Sequence, residues 1–312
     1  MRHPKITVVG AGNVGASCAL WAAAGDLGDV VLVDIVDGLA AGKALDLQQT
    51  APIMGFAHGV TGTTGYDATA GSDLAIVTAG LARKPGMSRD DLLVRNAEIV
   101  SGIVRELVDA SPGAVLVIVS NPVDAMTSLA HRVSDLPTGR VVGMAGVLDS
   151  ARMRTFIAQA AGVSPKDVQA YVLGGHGDTM VPLVRHSSIG GVPLAARLAG
   201  EQIDAIVERT RNGGAEIVGL LKTGSAFYAP AAAAVTMARS ILKDERRVLP
   251  CAAYCDAEYG VGGYFVGVPA RLGTGGVTEV LEFDLNADER AAFDSSVAHV
   301  RRLVEKLAEL GY

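Results

Sequence analysis

The stretch Gly10-Ala11-Gly12-Asn13-Val14-Gly15 decides the fold, and it follows a short apolar run at residues 6–9. Its spacing fits G-x-G-x-x-G, a glycine pattern typical of the turn between a strand and a dinucleotide-binding helix. The first glycine permits the tight turn, the second lets the backbone approach a diphosphate, and the third allows close packing of helix on strand. The diphosphate then faces free amides at the positive end of the helix.

Asp34 supports the dinucleotide interpretation, because it ends the second predicted strand about 20 residues after the last glycine. An acid at this place hydrogen-bonds the ribose hydroxyls and repels the additional phosphate of NADP. Ile35 supplies no compensating positive charge, so the predicted cofactor is NAD. The open alternative is an ordinary tight turn followed by a solvent-facing aspartate. The candidate cofactor-binding residues of this region are Gly10, Ala11, Gly12, Asn13, Val14, Gly15 and Asp34.

Strand and helix patterns alternate through the first half of the chain. Apolar runs typical of buried strands occupy residues 6–9, 30–33, 74–78, 115–119 and 141–145, with a weaker candidate at 59–65. Helical patterns occupy residues 14–24, 39–49 and 89–109. This alternation predicts a Rossmann-type, doubly wound parallel sheet in the α/β class.

The pattern changes after about residue 146, where we expect an α+β substrate and catalytic domain. Residues 168–173 and 181–184 flank a glycine-rich turn and are interpreted as a hairpin, and 263–269 and 277–283 as strands. Helices are predicted at residues 148–161, 201–222, 229–243 and 287–310. The expected domains are residues 1–145, which bind the cofactor, and 146–312, which carry catalysis. No flexible linker separates them, so we expect one rigid body.

Composition argues against several classes of protein. Of the 312 residues, 49% are hydrophobic and 19% are charged, which is typical of a folded chain. The net charge of −6, without a basic stretch, argues against a nucleic-acid partner. No apolar run approaches the roughly 20 residues of a membrane span, and no leader pattern is visible. Cys18, Cys251 and Cys255 indicate a reducing compartment and no metal site, so we expect a cytoplasmic protein without a membrane partner.

A histidine flanked by glycines, in Gly174-Gly175-His176-Gly177-Asp178, is the candidate for proton transfer. Its ordinary pKa of about 6.5 suits that task at neutral pH. Asp149 and Arg152 are three residues apart and share a helix face. They would offer an acceptor to the histidine and a bidentate donor to a carboxylate. The alternatives are a histidine in a flexible turn and a surface ion pair.

Two loops follow predicted strands, where open parallel sheets bind their ligands. The basic loop Gly80-Leu81-Ala82-Arg83-Lys84-Pro85-Gly86-Met87-Ser88-Arg89 is interpreted as a lid that closes over an anion. In Ser120-Asn121-Pro122, the Asn121 side chain is a candidate donor to a substrate oxygen or to the nicotinamide side of the cofactor. A solvated basic loop and a plain turn are the respective alternatives.

Together these motifs resemble the lactate/malate dehydrogenase family, and within it the malate dehydrogenases that are lactate-dehydrogenase-like in sequence. The GAGNVG turn, Asp34, TAGLARKPGMSRDDLL, SNPVD, VLDSARMR and GGHGD occur in the family's order, nearly end to end. The resemblance implies an NAD-dependent oxidoreductase of the tricarboxylic acid cycle. It also implies a dicarboxylate substrate, malate or oxaloacetate, and assembly as a homodimer or homotetramer.

The resemblance further assigns roles to individual residues. His176 is the implied catalytic base and Asp149 its orienting partner. Arg152 is expected to bind the carboxylate beside the reacting carbon. Arg83 is expected to bind the second carboxylate, because an uncharged site would bury that carboxylate unpaired, at a cost in free energy. The implied substrate-binding set is Arg83, Arg89, Asn121 and Arg152, with Asn96, Val119, Ser120 and Asn121 lining the cofactor site. The open alternatives are a dehydrogenase of lactate or another 2-hydroxy acid and a non-catalytic NAD(H)-binding redox sensor.

Overall fold

The computed structural model describes residues 3–81 and 89–312, with Arg89 described through its backbone alone. The strands are β1 (Lys5–Val9), β2 (Asp29–Val33), β3 (Val60–Thr63), β4 (Leu74–Val77), β5 (Val115–Ile118), β6 (Val141–Gly143), β7 (Val168–Gln169), β8 (Val172–Leu173), β9 (Val181–Pro182), β10 (Ser188–Ile189), β11 (Val192–Pro193), β12 (Arg247–Cys255), β13 (Tyr264–Gly273) and β14 (Gly276–Val280). The helices are α1 (Asn13–Ala24), α2 (Leu39–Gln49), α3 (Ala51–Met54), α4 (Arg89–Ala110), α5 (Val123–Ser134), α6 (Gly146–Ala161), α7 (Gly200–Leu221), α8 (Tyr228–Leu242) and α9 (Ala287–Glu309).

One nine-stranded sheet runs through both halves of the chain, in the order β3-β2-β1-β4-β5-β6-β12-β13-β14. The first six strands are parallel, which confirms the predicted doubly wound sheet. The last three are antiparallel and extend the sheet from β6, where Ala252 lies opposite Gly143. The second half therefore adds strands to the sheet of the first half, a continuation that the sequence did not predict.

The parallel strands are covered on both faces. Ile6 and Val8 of β1 pack with side chains of α1 and α8, whereas Val9 packs with side chains of α4 and α5. Because successive side chains of a strand point to opposite faces, a strand covered twice must be apolar throughout. This double burial accounts for the continuous apolar runs by which the first strands were predicted.

The predictions missed α5, β12 and the short elements α3, β10 and β11, and one predicted hairpin differs in extent. Helix α5 was not predicted, since polar residues such as Thr127 and Ser128 interrupt its apolar pattern. Strand β12 was missed because Pro250 in its middle argues against a central strand, yet Pro250 lies opposite Pro269 in the antiparallel ladder. The predicted hairpin is also smaller than expected. Only β8 and β9 pair there, while β7 pairs with β10 in a separate three-stranded sheet.

Candidate active site

The candidate functional residues lie beyond the carboxyl ends of the parallel strands. The glycine-rich turn follows β1 and Asp34 follows β2, while Asn121 comes after β5 and Asp149 lies in the first turn of α6, after β6. The same edge of an open α/β sheet is where ligands bind. The fold thus gathers residues from distant parts of the sequence along one edge.

The glycine-rich turn leaves the start of α1 open. A methyl group at Gly15 would lie 1.7 Å from the carbonyl oxygen of Gly10, so the helix and the turn are in close contact. At Gly12 a methyl group would meet nothing within 4 Å, and no side chain caps the helix. The free N–H groups of α1 therefore face open space, which fits a bound diphosphate.

Asp34 is fixed beside this turn. Its Oδ2 accepts a hydrogen bond from the Ala11 N–H at 2.6 Å, and its Oδ1 accepts one from the Val36 N–H at 3.0 Å. Each carboxylate oxygen keeps a lone pair, so the residue can still accept from ribose hydroxyls. Lys43 of α2 donates from Nζ to the Ala11 carbonyl oxygen at 2.7 Å. The sequence motifs did not indicate Lys43, which places a cation next to the turn.

Asp149 joins the candidate proton-transfer group to the candidate carboxylate-binding group. It is 1% exposed. Its Oδ2 lies 2.7 Å from Nδ1 of His176, and its Oδ1 accepts from Nη1 of Arg152 at 3.0 Å. Because Nδ1 is engaged by the carboxylate, Nε2 is the ring nitrogen that remains for a substrate. The predicted sharing of one helix face by Asp149 and Arg152 is seen in the structure.

The surroundings of His176 favour its protonated form. Burial alone lowers the pKa of the imidazole, but the charge of Asp149, its hydrogen bond and the charge of Asp124 outweigh burial. Arg152 acts in the opposite direction with a smaller effect. The pKa of His176 is therefore raised above its ordinary value, and the group can hold a proton near neutral pH and release it to a partner.

Helix α7 makes room for Arg152. A methyl group at Gly213 would lie 3.1 Å from Cδ of Arg152, and one at Gly214 would lie 3.7 Å from Nη2. The two glycines let the helix backbone approach the guanidinium closely. The sequence predicted this helix but not its place at the site, since a Gly-Gly pair in a helix carries no chemical signal of its own.

Asn96, Val119 and Ser120, which are predicted to line the cofactor site, have buried side chains. Asn96 is 0% exposed. Its amide donates to the carbonyl oxygens of Asn121 at 2.7 Å and Leu81 at 3.2 Å, and its oxygen accepts from the Leu81 N–H at 2.7 Å. Ser120 donates to the Ala79 carbonyl oxygen at 2.6 Å, and Val119 is 8% exposed. Asn96 and Ser120 thus brace the strand ends, and their contact with a cofactor stays a prediction.

Asn121 itself is exposed and is joined to Pro122 by a cis peptide bond. Residues 82–88 of the loop predicted as a lid, Arg83 among them, lie outside the described residues, and the side chain of Arg89 is not described, so the lid and the roles of both arginines stay predictions. Among the described residues, no group of three or more His, Cys, Asp or Glu side chains is placed to hold a metal ion. Within the same part of the chain, no helix combines the length and apolar character needed to cross a membrane.

Comparison with known proteins places the chain in a family. Residues 4–143 match the model of the lactate/malate dehydrogenase NAD binding domain, and residues 146–310 match that of the lactate/malate dehydrogenase alpha/beta C-terminal domain. The malate dehydrogenase of Rhodopirellula baltica is 56% identical over 309 residues, which cover 98% of each chain.

Solved structures agree with this placement. The malate dehydrogenase of Salinibacter ruber superposes with a TM-score of 0.95 at 52% identity, over 98% of both chains. The lactate dehydrogenase of Cryptosporidium parvum, solved with lactic acid and nicotinamide adenine dinucleotide, superposes with a TM-score of 0.96 at 43% identity, over 99% of both chains. The fold class and the resemblance stated from the sequence are confirmed, and the chain belongs to the lactate/malate dehydrogenase family.

Proposed function

We propose that the chain is an NAD-dependent malate dehydrogenase that interconverts (S)-malate and oxaloacetate. The observation that carries the proposal is the buried Asp149, which holds a proton-transfer group, His176, and a carboxylate-binding group, Arg152, side by side. Relatives that are 51% to 56% identical over nearly the whole chain are named malate dehydrogenase. The name and the geometry therefore support the same reaction.

Proton transfer falls to His176. In the direction of oxidation, Nε2 takes the proton of the substrate hydroxyl, and Asp149 stabilises the imidazolium that forms. In the reverse direction, the imidazolium returns the proton to the carbonyl oxygen of oxaloacetate. The raised pKa of His176 favours this second direction, because it increases the fraction of protein in which the proton is held before the substrate arrives.

NAD supplies the hydride chemistry when bound, by accepting a hydride from the hydroxyl-bearing carbon and returning it in reduction. The chain's own residues fit this cofactor. The open space at Gly12 suits the diphosphate, and the Asp34 carboxylate suits the ribose hydroxyls. Asn121, which is exposed after β5, is proposed to donate to substrate or cofactor.

Substrate orientation falls to arginines. Arg152 is held at 3.0 Å from Asp149 through Nη1, so its other N–H groups can bind the carboxylate next to the reacting carbon. Arg89 is proposed to stabilise the negative charge that develops on the carbonyl oxygen. Arg83 is proposed to bind the second carboxylate of malate, which lactate lacks. Both of these assignments are supported by the family motif in the sequence.

A lactate dehydrogenase is the second candidate, because the lactate dehydrogenase of Cryptosporidium parvum superposes as well as the malate dehydrogenases do. The fold does not separate the two substrates, so the choice rests on Arg83. A redox sensor without catalysis is disfavoured by the complete set of His176, Asp149 and Arg152.

The test is NADH oxidation by the purified protein with oxaloacetate and with pyruvate, compared as kcat/KM. We expect a preference for oxaloacetate of about a hundredfold or more, which corresponds to about 2.7 kcal/mol at the transition state. Arg83→Gln should lose oxaloacetate activity far more than pyruvate activity. Arg95→Gln is the matched control, since Arg95 is exposed on α4 and pairs with Glu98. A preference for pyruvate in the wild type, or equal losses on both substrates in Arg83→Gln, would overturn the substrate assignment.

Three further properties belong to the proposal. The domain boundary is placed between residues 145 and 146, supported by the two family-model matches. Assembly as a homodimer or homotetramer is supported by exposed apolar side chains such as Ile53 at 82% and Leu220 at 75%. A cytoplasmic location is supported by three buried cysteines that form no disulfide.

A further inference from the structure

A second carboxylate lies behind the catalytic histidine, and the mechanism above does not use it. Asp124, in the first turn of α5, is 4% exposed. Its Oδ2 accepts a hydrogen bond from the backbone N–H of His176 at 2.9 Å. Its Oδ1 is buried and has no hydrogen-bond partner among the described residues. A buried carboxylate oxygen without a partner is costly, so its presence calls for a reason other than stability.

The backbone around His176 is held from two sides. The Gly175 N–H donates to Oγ of Ser296 in α9 at 2.8 Å, while the next N–H along the chain, that of His176, reaches Asp124. A methyl group at Gly175 would lie 2.9 Å from Cγ2 of Val300 and 3.4 Å from Oδ2 of Asp124. The glycine therefore allows the carboxylate to approach the chain next to the histidine.

The charged groups that act on Asp124 are His176 and Asp149. Besides Asp124, the atoms nearest a methyl group at Gly175 belong to Val300 of α9 and Thr179 of the turn after His176, and both side chains are uncharged. Burial, and secondarily the charge of Asp149, raise the pKa of Asp124 to about 6, while the His176 N–H and the charge of His176 act to lower it. The carboxyl group is therefore mostly ionised above neutral pH.

We propose that Asp124 is a positioning residue for the reaction, whose carboxylate fixes the backbone of His176 and whose negative charge favours the protonated imidazole. The histidine then lies between two carboxylates, with Asp149 at the ring and Asp124 at the main chain. This inference rests on the proposed function. It adds a group that acts on the proton without touching the substrate.

The experiment is a pair of pH profiles for Asp124→Asn, with kcat/KM measured for oxaloacetate at saturating NADH and for malate at saturating NAD. Asparagine keeps an oxygen that accepts the His176 N–H but removes the charge. Without that charge the imidazole loses its proton at lower pH, so both profiles should move to lower pH together. At a pH where His176 is partly protonated, kcat/KM for oxaloacetate, taken relative to its low-pH plateau, should fall roughly threefold to tenfold, and kcat/KM for malate should rise.

Asp135→Asn is the matched control, because Asp135 caps the other end of the same helix and is exposed. Its profiles should coincide with those of the wild type. If Asp124→Asn loses turnover while both pH profiles stay at the same pH as in the wild type, the role of Asp124 is merely structural and the inference is overturned. The proposed function fails differently, through absence of oxaloacetate and malate turnover in the wild type.

A measurement on the wild type keeps the inference testable if Asp124→Asn does not fold. The amide proton of His176 donates to Asp124, so its NMR shift should show a step near pH 6 from the carboxyl group, separate from the step of the ring. A carboxyl step at higher pH than the step of the ring would overturn the inference, because Asp124 would then be uncharged where His176 loses its proton.

Discussion

Replacing Gly15 by alanine should damage the fold, whereas the same replacement at Gly12 should damage only binding. The added methyl group at Gly15 would lie 1.7 Å from the Gly10 carbonyl oxygen, while ordinary contact begins at 3.4 Å. Helix α1 and the turn after β1 would have to separate, because backbone lies on both sides of the overlap. Overpacking of this kind costs about 3 kcal/mol or more. For a domain of this size we expect the Tm to fall by roughly 6–12 °C.

At Gly12 the added methyl group meets no protein atom within 4 Å, and the backbone, with φ −64° and ψ −168°, is open to alanine. The free energy of unfolding should change by less than about 0.5 kcal/mol. The methyl group enters the space that faces the helix amides, so the Kd for NADH should rise by about tenfold or more.

The two variants are compared by calorimetry without ligand and by titration with NADH. The expected result is a lower Tm for Gly15→Ala alone and weaker NADH binding for both. If Gly12→Ala lowers the Tm as much as Gly15→Ala, or binds NADH as tightly as the wild type, the interpretation of the turn is refuted.

Two further predictions concern buried groups. Asp149→Asn removes the charge that raises the pKa of His176, so the fall of oxaloacetate reduction with rising pH should begin at lower pH. We also expect kcat to be at least about tenfold lower and NADH binding to be retained. A pH profile that does not move would contradict this prediction. Burial raises the pKa of the Cys18 and Cys255 thiols to about 12 and also raises that of Cys251, so Ellman's reagent should label all three thiols only after denaturation, and rapid labelling of the native protein would count against the structure.

The sequence predicted the parallel part of the fold and the local motifs of the site for a physical reason. Parallel strands buried on both faces are apolar runs, and the glycine turn, Asp34 and the Asp149–Arg152 pair act within short spans of sequence. These signals do not depend on what the rest of the chain packs against them, so they can be recognised before the fold is known.

Contacts between distant segments could not be predicted in this way. Asp124 and His176 are 52 residues apart, and Lys43 and Ala11 are 32 apart. Neither pair has a spacing that indicates its contact. Strand β12 shows the opposite case. Pro250 is a local signal against a central strand, yet the residue lies in the antiparallel ladder between β12 and β13. What the sequence left undetermined is therefore the long-range packing that brings such groups together.

The nine-stranded sheet has a mechanical consequence for catalysis. Since β12 continues the sheet from β6, the half that carries the glycine turn and the half that carries His176 share one stiff framework. The hydrogen bond between the N–H of Gly174 and the carbonyl oxygen of Gly267 ties the histidine turn to that framework at 2.8 Å. The separation between the glycine-rich turn and His176 is thus set when the chain folds. Ligands meet a preassembled frame, and their binding energy is not spent on drawing two lobes together.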